Sequence, residues 1–273
     1  MEYIDNGIIK LPILGLGTFT MHGEQLRSVV NEAVRLGYKL FDTATKYENE
    51  ADLGVVLNRG IDHIIQSKVH ATQLLGNMRF LRLNKKSIKK SILLSRDRLN
   101  TIPDIYLLHS PFNGYENHLI DLYSIRERGE LKAMGICNIT LAELRELINK
   151  TGIKPDIIQV EIHPFFNNRE LVDYCNDKGI IVEARSPLAH GDALQEWQSN
   201  KVLQSISSNY GISIPQVILR WIIQQNVSVI VRTINSQHLK ENIDIFNFSL
   251  TDKEMSFISS LNKNLSYGYI SLH

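Results

Sequence analysis

The sequence predicts a single (β/α)8 barrel, the TIM barrel class, over residues 1–273. Three observations predict it. Short β-branched runs bounded by Gly, Asn or Asp alternate with amphipathic stretches of about ten residues, eight such units can be counted, and no Ser/Gly/Pro-rich linker or break in composition divides the chain. The candidate strands end at Gly17, Ala44, Leu74, Ser110, Cys137, Ile162, Arg185 and Arg232, at intervals of about 25 to 45 residues. This regularity favours one closed barrel over a doubly wound sheet with a second domain.

The helices agree with the strands. In Glu24 to Leu36 the apolar residues Leu26, Val29, Val30, Ala33, Val34 and Leu36 fall at helical spacing, and Gly37 follows as a C-cap. Thr140 with Glu143, and Thr251 with Glu254, have the spacing of capping boxes that open two later helices. Lys85, Lys86, Lys89 and Lys90 form a small basic cluster, read as a solvated helix face.

Composition narrows the function. The 273 residues carry 30 Lys+Arg against 29 Asp+Glu, a formal net charge of +1, so no global field attracts a polyanion and nucleic acid is excluded as a partner. The longest apolar runs are about five residues, far short of the roughly 20 that span a bilayer, so no transmembrane helix is expected. The start Met1-Glu2-Tyr3-Ile4-Asp5 lacks a secretory signal, and two cysteines, Cys137 and Cys175, make no disulfide framework. A cytoplasmic, monomeric protein with reduced thiols is expected. Nine scattered histidines without a paired ligand spacing give no metal site.

In such a barrel the active site lies at the C-terminal ends of the strands, so polar residues that end apolar runs are the candidates. The second run ends Leu40-Phe41-Asp42-Thr43-Ala44 with Tyr47 three beyond, and the fourth ends Leu107-Leu108-His109-Ser110-Pro111. The sixth carries Gln159, Glu161 and His163, the seventh Glu183 and Arg185. Singly, each has a structural reading: Asp42 caps a helix, Tyr47 packs at the rim, His109 is a satisfied strand-end histidine. Together they offer an acid, because a tyrosine near its ordinary pKa of about 10 needs neighbours to donate a proton at neutral pH.

The combination resembles the aldo-keto reductases from about Leu14 to Leu261. The resemblance rests on Gly15-Leu16-Gly17-Thr18, on Phe41-Asp42-Thr43-Ala44 with Tyr47-Glu48-Asn49-Glu50, on Leu107-Leu108-His109-Ser110-Pro111 and on Gly129 to Asn138. Gln159-Val160-Glu161-Ile162-His163-Pro164 and Glu183-Ala184-Arg185-Ser186-Pro187-Leu188 continue it. It implies a barrel that binds NADPH, with NADH less favoured, and passes hydride to a small aldehyde or ketone. By motif match Tyr47 is the general acid, His109 positions the carbonyl and Asp42 supports the pair together with a lysine.

Three departures accompany the resemblance. Gln73 falls in the lysine position when the third strand is read as Val69 to Leu74; placing Lys68 there needs a shift of about four residues, Gln73 about one. Arg185 stands where a tyrosine stacks on the nicotinamide, and its charge could instead receive an acidic substrate. Cys137 replaces a serine beside Asn138 and Gln159, which remain to hold the carboxamide.

The resemblance also implies cofactor roles for Ser186 and Leu188 after the seventh strand. Near the eighth, it assigns Arg232 and Thr233, then His238, Glu241 and Asn242, to the adenosine 2′-phosphate and adenine. Phe19, His22, His70, Phe112, Tyr267 and Tyr269 are candidate walls of an open pocket. Two alternatives follow from Gln73 and Arg185: a redox-neutral enzyme on the same scaffold, performing a dehydration, isomerisation or cyclisation, and a non-catalytic NADPH-binding relative.

Overall fold

Each central strand is a short apolar run buried on both faces, as in Ile105-Tyr106-Leu107-Leu108, and such strands persist only where helices cover the sheet. In the computed structural model, which describes residues 1–57, 62–75 and 87–268, eight of them close into a parallel barrel. An antiparallel hairpin, β1 (Tyr3–Asp5) and β2 (Lys10–Pro12), precedes it. The barrel strands are β3 (Leu14–Gly17), β4 (Leu40–Asp42), β5 (Ile64–Val69), β6 (Ile105–Leu108), β7 (Ala133–Cys137), β8 (Ile157–Glu161), β9 (Ile181–Arg185) and β10 (Val227–Val231). They neighbour one another in chain order, and β10 closes on β3.

The hairpin has no counterpart in the eight predicted strands. Its turn is local chemistry: the Asp5 carboxylate accepts from the Gly7 N–H at 2.9 Å, and Gly7 takes φ +80°, which a residue with a Cβ resists.

Helices α1 (Gly23–Leu36), α2 (Glu50–Leu57), α3 (Ala71–Leu75), α4 (Ile88–Leu99), α5 (Tyr115–Glu127), α6 (Leu141–Thr151) and α7 (Arg169–Lys178) lie between strands. Three helices, α8 (Leu194–Ser199), α9 (Lys201–Tyr210) and α10 (Ile214–Ile223), fill the interval between β9 and β10, and α11 (Ser236–Ile243) and α12 (Asp252–Ser260) follow. The predicted ends hold. Gly37 caps α1 at φ 96°, its N–H reaching the carbonyls of Ala33 and Val34, and full capping boxes open α6 at Thr140 and α12 at Thr251. Lys89 and Lys90 are exposed on α4, while Lys85 and Lys86 lie outside the described residues. Both cysteines are buried and unbridged.

One strand departs from prediction. β5 ends at Val69, five residues before Leu74, because Ala71–Leu75 turns into α3. Within β5 the side chains alternate. Ser67 faces outward and donates to the buried Glu50 carboxylate of α2 at 2.6 Å, so Gln66 and Lys68 point into the barrel.

The backbones of β7 and β8 approach closely at Gly135, where a Cβ would collide with the Ile157 carbonyl. This tight waist brings β8 side chains across the interior: Gln159 hydrogen-bonds Asp42 of β4, which is not its neighbour in the sheet.

Candidate active site

Asp42 ends β4 and is buried, its Oδ1 accepting from Gln66 Nε2 at 2.8 Å and Gln159 Nε2 at 3.1 Å. Its charge partner is Lys68. The Lys68 ammonium, 1 % exposed, donates to Asp42 Oδ1 and to the Thr43 carbonyl at 2.9 Å, and lies 5.3 Å from the centre of the Tyr47 ring. Burial works against its charge, but the Asp42 carboxylate outweighs this and holds the lysine above its ordinary pKa. Lys68 is therefore a cation at any physiological pH.

This arrangement corrects the assignment of Gln73. The lysine place beside Asp42 and Tyr47 is filled by Lys68, because the strand stops at Val69 and puts residue 68, not 73, at its inward-facing end. Gln73 sits in α3, where its side-chain carbonyl accepts from the Thr45 hydroxyl and, at 3.4 Å, from the His70 N–H. It braces the turn that carries Tyr47.

Tyr47 follows β4 in a single 3₁₀ turn, Thr45–Tyr47, fixed by the Thr45 hydroxyl, whose one proton is shared between the Lys68 carbonyl at 2.9 Å and the Gln73 side-chain carbonyl. Burial raises the phenol and the Asp42 charge adds to it, while the Lys68 charge and hydrogen bond pull it down, leaving it pushed up to about 12. His109 lies just past β6, its ring edge-on to Tyr47 at 5.9 Å and to His70 at 5.7 Å. Burial lowers its pKa well below the ordinary histidine value, and the positive charge of Lys68, and of nearby His70, Lys46 and Arg185, adds to this. The imidazole is neutral, and its buried Nδ1 has no partner within the described chain.

Other predicted residues converge on the same end. Asn138, in the left-handed region at φ 58°, donates to the His109 carbonyl at 2.8 Å and accepts from Arg185 Nε at 2.6 Å. Arg185 also meets Glu161 at 3.4 Å and the Ser186 hydroxyl at 3.4 Å. Ser186, at φ 50°, and Leu188 are half-buried in the turn after β9. Gln159 is drawn into the interior, where its amide serves Asp42 and, at 3.2 Å, Glu183. Cys137 Sγ lies 3.8 Å from the Gln159 carbonyl, and burial pushes its thiol up, so it is a neutral neighbour.

The eighth-strand group is separate and open to solvent. Arg232 is exposed, donating to the Phe19 carbonyl at 2.6 Å and to the Thr20 hydroxyl. Thr233 Oγ1 lies 3.4 Å from His238 Nδ1, and Asn235 caps α11. Arg232, Thr233 and the first turn of α11 present a guanidinium, a hydroxyl and backbone N–H groups, with no carboxylate among them, a donor set suited to a phosphate. Glu241 accepts from Gln237 at 3.0 Å, and Asn242 is buried.

Of the pocket-wall candidates, Phe19 stacks 5.0 Å from Tyr47 and His70 lies against His109. Phe112 packs on His118, and His22 is exposed at the start of α1. Tyr267 packs 5.6 Å from His163, and Tyr269 lies outside the described residues.

Lys68 was weighed in the sequence and set aside for Gln73, and the anchoring of the C-terminal segment was missed. Glu161, buried, accepts from Ser266 Oγ at 2.7 Å and from the N–H groups of Tyr267 and Gly268 at 2.6 and 2.8 Å. No apolar alternation marks Ile64-Ile65-Gln66-Ser67-Lys68-Val69, so local periodicity carried no signal for Lys68.

Comparison with known proteins agrees with this geometry. The model of the Aldo/keto reductase family matches residues 13–263. The chain is 36% identical over 275 residues to the uncharacterized oxidoreductase YtbE of Bacillus subtilis, covering 97% of this chain and 94% of that one. It is 35% identical to glyoxal reductase of the same organism, with the same coverage. Among solved structures, a variant of Gox0644 in complex with NADPH superposes with a TM-score of 0.82 at 26% identity, covering 96% of this chain and 93% of that one.

Proposed function

Since the chain belongs to the aldo/keto reductase family, we propose that it reduces a small aldehyde or ketone to the alcohol with NADPH, Tyr47 supplying the proton. The observation that carries this reading is the buried Asp42–Lys68 pair beneath the Tyr47 ring, with the neutral His109 edge-on to the same ring.

The chemistry follows from charge. A carbonyl oxygen gains negative charge as its carbon is reduced, and a site stabilises that change with donors already aimed at it. The Tyr47 hydroxyl gives up its proton to that oxygen, and the Lys68 ammonium, held charged by Asp42, stabilises the phenolate left behind. The His109 imidazole, kept neutral, orients the carbonyl oxygen by a hydrogen bond. Gln66 and Gln159 hold Asp42, and Gln73 holds the turn that carries Tyr47.

When bound, NADPH supplies the hydride. Arg232, Thr233 and His238 would hold its 2′-phosphate, Glu241 and Asn242 would lie by the adenine, and Asn138, Ser186 and Leu188 by the nicotinamide half. Arg185 would offer the nicotinamide a planar guanidinium where an aromatic ring is usual. The preference for NADPH over NADH rests on the Arg232 and Thr233 donors.

The redox-neutral and non-catalytic alternatives drew on Gln73 in the lysine position and on Arg185; the Lys68–Asp42 pair removes the first support, and Arg185 remains. The test is consumption of NADPH by the purified protein with a panel of small aldehydes and ketones, glyoxal and methylglyoxal included. NADPH oxidation matched by alcohol formation, and lost in Tyr47→Phe without loss of NADPH binding, supports the reading. Failure to bind NADPH, or an active Tyr47→Phe variant, overturns it.

A further inference from the structure

Inside the barrel two carboxylates share one set of donors. Glu183 of β9 is fully buried, in register with Gln159 of β8 and Ser228 of β10, while Gln66 of β5 is in register with Asp42 of β4. Gln66 Nε2 lies 2.8 Å from Asp42 Oδ1 and 2.8 Å from Glu183 Oε2. Gln159 Nε2 spans the same two oxygens at 3.1 and 3.2 Å. Both amide groups are thereby spent, each with one N–H on either carboxylate.

What remains is a mismatch. Glu183 Oε1 and Gln66 Oε1 are both buried and both lack a partner. With Glu183 ionised these are two acceptors in a dry interior, each carrying the full cost of lost hydration. A single proton on Glu183 Oε1 removes both faults: it turns that oxygen into a donor, and Gln66, which already donates to Oε2, offers its carbonyl in return. Acid and amide then pair reciprocally. The charge count agrees, because Lys68 is bonded to Asp42 and, among the described residues, the other groups at this centre, Cys137, Gln66 and Gln159, bring no second cation.

We propose that Glu183 is a positioning residue that is protonated on Oε1 on the acid side of neutrality, where it donates to Gln66 and leaves Asp42, among the described residues, as the only anion beside Lys68, so that its ionisation through neutrality weakens Tyr47 as an acid. Burial, reinforced by the Asp42 charge, pushes its carboxyl up to about 7. On ionisation a second negative charge enters the interior, offsets the Lys68 field and opposes the phenolate that Tyr47 must become. The effect on Tyr47 rests on the proposed reductase function; the proton on Glu183 does not.

The test has two arms. In infrared spectra of the full chain labelled with ¹³C-glutamate, a protonated-carboxyl stretch is expected at about pH 6, fading by about pH 9 and absent from Glu183→Gln. In NADPH-dependent carbonyl reduction, kcat is expected to fall about three- to tenfold through neutrality in the wild type, a step absent from Glu183→Gln. Absence of the protonated stretch at about pH 6, or persistence of the kinetic step in Glu183→Gln, overturns the proposal. Should Glu183→Gln fail to fold, the wild-type spectrum decides alone. Should no carbonyl be reduced, the reductase reading fails, and the spectrum still decides where the proton resides.

Discussion

Lys68 of β5 and Asp42 of β4 form a buried ion pair, their side chains 1 % and 5 % exposed, with the ammonium 5.3 Å from the centre of the Tyr47 ring. Two charges leave water only where each has its partner and further hydrogen bonds, and both do: Asp42 gains Gln66 and Gln159, Lys68 gains the Thr43 carbonyl. A hydrophobic pair would pack as well. The ion pair at this depth makes sense as a fixed field for the phenol above it.

Lys68→Met is expected to cut kcat for carbonyl reduction by about a thousandfold or more, since it removes the charge that stabilises the departing phenolate. It also leaves Asp42 buried without its cation, at a cost of about 3–5 kcal/mol. The double variant Lys68→Met, Asp42→Asn is expected to regain much of the stability and none of the activity, read by thermal unfolding and steady-state kinetics side by side. Gln73→Ala, which removes only a brace on the Thr45 turn, is expected to retain most turnover. If Gln73→Ala were as damaging as Lys68→Met, the assignment of the lysine would fail.

The pH profile of turnover should lack a histidine limb. Burial and the surrounding positive charge keep His109 well below the ordinary histidine pKa, and the phenol of Tyr47 is pushed up to about 12. Neither group titrates between about pH 6.5 and pH 10, so the acid stays loaded and the imidazole stays neutral across that range. In a Glu183→Gln background, kcat is expected to be flat there. A residual limb near pH 6 to 7 would return His109 to the protonated form and remove its role as a neutral orienting group.

Most of the barrel was legible because strand burial and helix amphipathicity are written in local periodicity. Gly17, Cys137 and Arg185 end strands as predicted, and the Thr140 and Thr251 boxes cap their helices. Asp42 and His109 stood out at the ends of apolar runs and Tyr47 three residues beyond one, but their proposed roles came from the resemblance of the motifs and not from periodicity. Lys68 was lost because an apolar run interrupted by Gln66, Ser67 and Lys68 does not look like a buried strand. Its polar side chains are satisfied only by partners distant in sequence, Glu50, Asp42 and Glu183. The docking of Ser266 on Glu161 shares that property, since a partner so distant in sequence leaves no periodic trace, whereas the hairpin is local and was missed because its strands are only three residues each.

Arg232 should govern the choice between cofactors. Its guanidinium is exposed and held by the Phe19 carbonyl and the Thr20 hydroxyl, and Thr233 and α11 follow it in sequence; such donors match a phosphate and gain nothing from a bare ribose hydroxyl. Arg232→Ala is expected to weaken NADPH binding about ten- to hundredfold and to change NADH binding little, as read by quenching of tryptophan emission. Equal losses for both cofactors would place Arg232 in the structure of the loop, through its contact with Phe19, and not at the phosphate.

The Glu161 carboxylate makes the C-terminal segment part of the barrel mouth, and its pH dependence has a definite sign. Burial alone would raise its pKa; donation from His163, Ser266 and the Tyr267 N–H, with the Arg185 charge, holds it at about 2. A carboxyl held below its unfolded value stabilises the folded form above that unfolded value, and the contribution fades as pH falls toward the folded one. The segment Ser266 to Gly268 is therefore expected to stay docked at neutral pH and to loosen between about pH 4.5 and pH 2. Glu161→Gln should loosen it already at neutral pH, because the amide accepts fewer of these bonds and leaves Arg185 without its counter-ion. The expected reading is about tenfold or greater loss of hydrogen-exchange protection at the Tyr267 and Gly268 amides. Trp197, which faces His163 at 6.1 Å while Tyr267 faces the same ring at 5.6 Å, should report the change in its emission. Gly268→Ala offers an independent route to the same state, since a Cβ there would run into the Glu161 carboxylate and the Arg185 guanidinium while both charges remain. Unchanged protection in both variants would mean that contacts other than Glu161, such as the Leu265 N–H on the Phe165 carbonyl at 3.0 Å, hold the segment.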